Sequence, residues 1–199
     1  MSAVVATVGD AAVLVTELDA SERRLRSTAL ASALPRPGTS EGRQLRRWLT
    51  QVLVTARVVA TEAAALGLTA ERAPTEDDLL PDAAARLELG SVAAAVLEDA
   101  IARALFVRVT TSVRVGADEV ADYHARNPFR FSSRAGWGDR RAAPALEDVR
   151  AAITEHLLGS ARRRAFRSWL DARRAEVVHL APGYEHPGDP RQPDNTHRH

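Results

Sequence analysis

Histidines and carboxylates are the side chains of this chain best suited to chemistry, and they fall into two groups. His179, His186, His197 and His199 stand near the end with Asp189 and Asp194. Imidazole and carboxylate are the ligands that zinc, copper or nickel take. The spacing matches no standard metal motif, and His197 and His199, two residues apart on a terminal segment, give loose chelation unless a scaffold fixes them. The second group is Tyr123, His124 and His156, with Asp122 and Glu155 close by in sequence. A histidine oriented by a carboxylate is the usual general base, so these three are the candidates for acid–base catalysis.

What would complete either site is missing. The chain has no cysteine, which excludes disulfides, thiolate metal sites and a cysteine nucleophile. No serine or threonine stands in a recognisable nucleophile turn, and no glycine-rich loop follows a strand to hold phosphate. The expectation is a protein without catalysis and without a cofactor, its histidines lying on partly exposed faces and in a surface tail.

Charge narrows the partners. The 27 basic and 26 acidic residues leave a formal charge of +1, so no global field draws the chain to nucleic acid or to an anionic membrane. In the local run Arg162, Arg163, Arg164, Arg167, Arg173 and Arg174, the first three point in three different directions on one helix and make no stripe, so the run reads as a solvated helix face. Glu155, Asp171 and Glu176 neutralise it further. No stretch reaches the roughly 18 apolar residues of a membrane helix, and the beginning MSAVVATVGD has no basic leader, so the expected location is the cytoplasm.

The elements that must hold these residues centre on Thr39–Gly67. Leu45, Trp48, Leu49, Val52, Ala56, Val59, Ala63 and Leu66 recur at three- and four-residue steps, which predicts one long amphipathic helix, with Arg43, Arg46, Arg47, Thr50, Arg57 and Thr61 opposite. Thr39 or Ser40 can cap its start and Gly67 its end. Ahead of it, Ala3–Val8 and Ala11–Val15 read as a hairpin turning at Gly9-Asp10, followed by a helix from Thr16 with Asp19 as a weak capping residue.

After Gly67, Thr75 and Pro81 predict one or two short helices. A single helix is expected from Ser91 to about Arg108, and a shorter one over Gly116–Asn127. Residues 128–143 show no period and read as a loop. From Pro144 to about Ala175 the chain is helical, but Leu146, Val149, Ile153 and Leu157 share one side while Phe166, Trp169 and Leu170 sit nearly opposite. Either the helix bends at Gly159 or two partners sandwich it. Glu176–Leu180 reads as a strand that can pair with the hairpin. Residues 182–199, with four prolines and three histidines, read as an irregular, extended tail in which Tyr184 could anchor.

The order of these pieces resembles the SurA-like chaperone and foldase family. VATVGDAAVLVTELDA is similar to that family's strand, glycine turn, strand and helix, and RRWLTQVLVTARVVATEAAALGLT to its central helix ending in Leu-Gly-Leu. VRVGADEVADYHARNPFRF resembles its acidic helix with Tyr123, Asn127, Pro128, Phe129 and Phe131, and ALEDVRAAITEHLLGSARRRAFRSWLDARRAEVVHL its closing helix and strand. The resemblance implies a helical chaperone module wrapped by the closing helix. Family members with isomerase activity carry about a hundred residues of parvulin fold between the Asn-Pro-Phe segment and that helix; here only Ser132–Ala143 fills the gap, so isomerase activity does not carry over.

The expected protein is therefore mainly α: a SurA-N-like helical domain over residues 1–181, with a small hairpin joined by a C-terminal strand, and a tail over 182–199. The expected function is binding a partner polypeptide in an apolar cleft between the central helix, the helix from Ser91 and the closing helix. Trp48, Phe106, Phe129, Phe131, Trp137, Phe166 and Trp169 are the large side chains able to line that cleft or fill the core. An open hairpin edge and a closing helix with two apolar faces permit a homodimer. The alternative is a small accessory enzyme, or a ligand- or metal-binding protein, with a Tyr/His pocket on the same scaffold.

Overall fold

A computed structural model describes residues 3–131 and 143–188. Within them the order is β1 (Val4–Val8), β2 (Ala11–Leu14), α1 (Val15–Arg26), α2 (Ser40–Ala65), α3 (Glu76–Leu79), α4 (Ala83–Leu89), α5 (Ser91–Val96), α6 (Ala100–Thr110), α7 (Ala117–Arg126), α8 (Leu146–Val177) and β3 (Val178–Leu180). The fold is mainly helical with one small antiparallel sheet of strand order β2-β1-β3. No helix of the described residues is long and apolar enough to cross a membrane.

Gly9, at φ +53°, takes the left-handed conformation that the tight turn between β1 and β2 needs. Val8 then faces Ala11, Thr7 faces Ala12 and Ala6 faces Val13, with a register irregularity between Ala6 and Val4. The chain passes directly from β2 into α1. The helix starts one residue earlier than Thr16, so Glu17, not Asp19, occupies the third position and accepts from the Leu14 backbone N–H at 2.8 Å. Asp19 instead meets Arg46 of α2 at 2.8 Å.

α2 packs against β1, α1, α5, α6 and α8, which makes it the centre of the fold. Thr39 caps it by accepting from Gly42 N–H, and Gly67 follows it at φ +63°. Its buried surface is wider than the apolar stripe. Leu49, Val59 and Ala63 are buried as expected, but so are Val54, Val58, Thr50, Gln51, Thr55 and Arg47, while Ala56 and Leu66 are exposed. α1 covers much of the arginine face. Arg46 bridges to Glu22 at 2.6 Å and Arg57 to Glu17 at 2.8 Å, so partners, not solvent, meet those charges.

The helix expected from Ser91 is interrupted. α5 ends at Val96, and Asp99 caps α6 by accepting from Ile101 N–H at 2.8 Å. A short polar side chain offers the backbone an alternative to helix, and here that local bond wins over continuous apolar periodicity.

α8 resolves its two faces without a break. The first half packs on α7 through Val120, Val149 and Ile153, and the second joins the main core through Phe166 and Leu170. Between them the buried residues are Ser160 and Arg163. The buried stripe therefore migrates round the helix through polar positions. The helix runs unbroken through Gly159, where a Cβ would lie 3.2 Å from Arg163 Nη1, so the bare backbone gives the guanidinium room. β3 then pairs antiparallel with β1, Val8 facing Val178 and Ala6 facing Leu180. β3 thus covers the second edge of β1, and the two apolar faces of α8 pack against different partners within the chain.

Candidate functional site

The sequence placed a cleft between the central helix, the Ser91 helix and the closing helix, and a cavity of about 440 Å³ lies there. Its apolar wall comes from Leu89 at the end of α4, Val92 and Ala93 of α5, Leu170 of α8, and Val178 and Leu180 of β3. Its polar groups are Gln51, Ser91, Arg167, Asp171, Arg174 and His186. This mixture, apolar surface with a few fixed polar groups, is what ligand clefts of this size use.

Each wall is held by identifiable bonds. Glu88 of α4 accepts from Arg163 Nε at 2.7 Å and from Ser160 Oγ at 2.8 Å, and Arg163 Nη1 also donates to Leu79 O at 3.1 Å. This clamps α4, and with it Leu89, to α8. Trp48 Nε1 donates to Ser91 Oγ at 3.2 Å, tying α2 to the start of α5.

The floor is a buried polar network. Arg174 donates through Nη1 to Thr55 Oγ1 at 2.8 Å and through Nη2 to Gln51 Oε1. Gln51 Nε2 donates to Tyr184 O at 3.1 Å, and Arg47 Nε to Gly183 O at 3.2 Å. The first residues of the expected tail are consequently docked. Pro182 and Gly183, the latter at φ +90°, form a turn closed by Tyr184 N–H to Ala181 O at 3.1 Å. Tyr184 packs against the main core, as its anchoring role required.

β3 is an outer strand of the sheet, and its Val178 and Leu180 line this cleft. Gly9 N–H donates to Val177 O and Ala181 N–H to Val5 O, so residues 177, 179 and 181 turn their peptide groups to β1. The alternation of an antiparallel ladder turns those of Leu180 outward, together with the carbonyl of Val178, beside their own cleft-lining side chains.

The aromatic candidates divide. Phe106 and Phe166 are core, 2% and 1% exposed, with ring centroids 5.0 Å apart; burying two rings against each other outweighs leaving either in a groove. Trp169 stacks on Phe166 at 5.7 Å and is half-buried, as is Trp48. Phe129 is exposed, and Phe131 lies against His156 and Tyr123. Trp137 lies outside the described residues. None of the six described aromatic candidates lines the cleft; its apolar walls are aliphatic.

The acid–base candidates do not assemble. Tyr123 and His156 meet at 5.5 Å between ring centroids, but His124 turns away and pairs through Nε2 with Pro144 O at 2.9 Å. Among the described residues neither Asp122 nor Glu155 bonds to either histidine. His156 lies in a ring nest, where burial first, and Arg130 second, hold its imidazole below the ordinary 6.5, against smaller opposing effects of Glu88 and Asp82. A proton then binds the unfolded chain more tightly than the fold, so stability is complete above 6.5 and falls as pH drops below it. The thermal midpoint should fall between pH 7.5 and 5.5, and His156→Phe, which keeps a ring there, should fall less. Equal losses in the two proteins would show that His156 is not the group responsible.

The metal candidates are also apart in role. His179 pairs with Thr7 in the sheet and is exposed, and His186 Nδ1 accepts from Gly188 N–H at 3.0 Å on the rim of the cleft. Among the described residues no group of three His, Cys, Asp or Glu could hold a metal ion. His197 and His199 lie outside them.

The residues that sequence reasoning missed are Arg174, Gln51 and Thr55. Arg174 was absorbed in an arginine run read as solvated. The usable signal was position: it follows Leu170 by four, on the buried stripe of α8, as Gln51 and Thr55 lie on the buried side of α2.

Residues 4–41, which span β1, β2, α1 and the start of α2, match the model of a family described as a family of unknown function (DUF7158). No curated protein and no solved structure matches the chain.

Proposed function

We propose that this chain is a SurA-like binding protein of the chaperone type, lacking a prolyl isomerase, that holds an extended polypeptide segment in the cleft between α2, α5, α8 and β3. The observation that carries the reading is the cleft itself: aliphatic walls beside an outward-facing strand edge. A peptide added to β3 gains main-chain hydrogen bonds from the edge, and alternate side chains enter the apolar space, so affinity and selectivity come from different parts of the same strand. Support also comes from topology, since the closing helix and strand return to the N-terminal hairpin as the SurA resemblance implies. A cytoplasmic location belongs to the same proposal, and cell fractionation checks it.

The test uses fluorescein-labelled, reduced and carboxymethylated α-lactalbumin as an unfolded probe, read by fluorescence anisotropy. Ala175 is exposed on α8 and lines the cleft, so Ala175→Trp obstructs it without entering the core. Binding should weaken at least fivefold with the thermal midpoint unchanged. A second, smaller cavity of about 240 Å³ lies between α2, α5 and α6, walled by Val52, Val59, Val96 and Ile101, with exposed Ala60 at its edge. Loss of binding in Ala60→Trp but not in Ala175→Trp would move the site and refute this placement.

A further inference from the structure

Arg174 differs from the other arginines around it. Arg163 meets Glu88 at 2.7 Å, Arg173 meets Glu62 and Glu176 at 2.6 Å each, and Arg167 reaches Asp171 at 3.9 Å. Arg174 makes no ion pair among the described residues. Its two terminal nitrogens donate to neutral oxygens, Thr55 Oγ1 and Gln51 Oε1, which fix the plane and direction of the guanidinium without pairing its charge with a carboxylate. Burial pushes its pKa down, and Asp171 acts the other way. A guanidinium remains charged in any protein, so a half-buried one without a carboxylate is a site that an anion would stabilise.

The surroundings say what kind of anion. Arg167 and Asp171 on the rim offset each other, which leaves Arg174 as the net positive charge of the cleft, which exposed His186 also lines. Leu89, Val92, Leu170, Val178 and Leu180 are aliphatic. The complement of this set is a carboxylate on a short aliphatic body. Arg174 lines the same cleft as Val178 and Leu180 of β3, and its carbonyl accepts from Val178 N–H where α8 passes into that strand. An extended segment lying along β3 would share the cleft with the guanidinium.

We infer that the cleft recognises a terminal carboxylate: Arg174, held by Gln51 and Thr55, takes the free C-terminal carboxylate of an apolar polypeptide whose last residues fill the aliphatic space. This rests on the polypeptide-binding reading above and adds to it which part of a client is taken. A forked guanidinium matches a planar carboxylate with two parallel bonds, and the low-dielectric walls strengthen that pairing. Gln51 and Thr55 are positioning residues in this scheme.

The experiment compares three probes on the full chain: the fluorescein-labelled heptapeptide Gly-Ser-Ala-Val-Ala-Val-Leu as the free acid, the same peptide as its C-terminal amide, and decanoate as a competitor. The free acid should bind the unaltered protein at least tenfold more tightly than the amide, and Arg174→Gln should reduce that ratio to less than twofold. Arg174→Lys, which keeps the charge but loses the fork, should fall between them. The acid-to-amide ratio on the unaltered protein decides the matter even if a variant fails to fold. Equal binding of acid and amide overturns the carboxylate inference and leaves the polypeptide reading standing; binding of neither peptide overturns both. Displacement by decanoate with no binding of the peptide acid would assign the carboxylate to a free amphiphile and overturn the C-terminal reading.

Discussion

Phe166→Ala should destabilise the protein by about 3–5 kcal/mol, the range for truncating a buried aromatic side chain. Phe166 is 1% exposed and sits between two other rings, Phe106 at 5.0 Å and Trp169 at 5.7 Å. Its removal deletes the ring and leaves two aromatic faces lining a cavity that α6 and α8 cannot close without shifting against each other. Urea unfolding followed by tryptophan fluorescence measures the loss. The contrast is Phe129→Ala, which removes a half-exposed ring and should change stability by less than about 0.5 kcal/mol. Similar costs at the two positions would mean that Phe166 is not the centre of the α6–α8 contact.

The second large effect is expected at Glu88. Its partner Arg163 has a side chain only 7% exposed, and Glu88 itself is 36% exposed. Removing one member of a buried pair strands the other charge, at roughly 3–5 kcal/mol; the partial exposure of Glu88 places Glu88→Ala near the lower end, at about 3 kcal/mol. Burial alone would raise the Glu88 pKa, but the bonds from Arg163 and Ser160 and the charges of Arg163 and Arg164 outweigh it and hold the carboxyl below its ordinary 4.5. The fold therefore favours the ionised form. Its contribution is complete above 4.5 and is lost as pH falls through the lower value in the fold, so the stability gap between the natural protein and Glu88→Ala should be constant near neutrality and close on acidification. Glu22, held low in the same sense by Arg26 and Arg46 against its own burial, adds an acid sensitivity common to both proteins. A gap that is unchanged at low pH would contradict the assignment of the stabilisation to the ionised pair.

These two sites show where the sequence could be read and where it could not. The elements set by local chemistry were legible: the hairpin from Gly9, the α2 start from Thr39, its end from Gly67, and the apolar stripes that placed Leu49, Val59, Ile153, Phe166 and Leu170 inside. What escaped was everything in which a polar group is buried by a distant partner. Ser160 and Arg163 break the apolar pattern of α8, so the helix looked as though it changed face; Glu88, more than seventy residues earlier, is what makes those positions interior. The same holds for Arg47, Thr50, Gln51 and Thr55 on α2, whose burial depends on α1, α8 and the docked turn at Gly183. Asp99 is the opposite case, a local bond that interrupts an otherwise helical pattern.

The candidate site followed the same division. Its place between three helices could be anticipated from their apolar faces, because a cleft forms where packed helices diverge. Its chemistry could not. The aromatic residues drew attention by size, yet size favours burial, and Phe106 and Phe166 went to the core. The groups that give the cleft its character are Arg174, held by two neutral side chains, and the strand edge of β3, whose outward-facing peptide groups are a matter of register that no residue type encodes.

The most direct test of the central claim, that this cleft receives an extended polypeptide, is amide chemical-shift mapping by NMR as carboxymethylated α-lactalbumin is added to the labelled protein. The account predicts that the shifts concentrate at Leu89–Ala93, at Leu170–Ala175, and at Val178 and Leu180, with the Leu180 amide among the most affected because it gains a strand partner. Shifts confined to the α2–α6 face around Ala56 and Ala60, or no shifts at saturating probe, would contradict it.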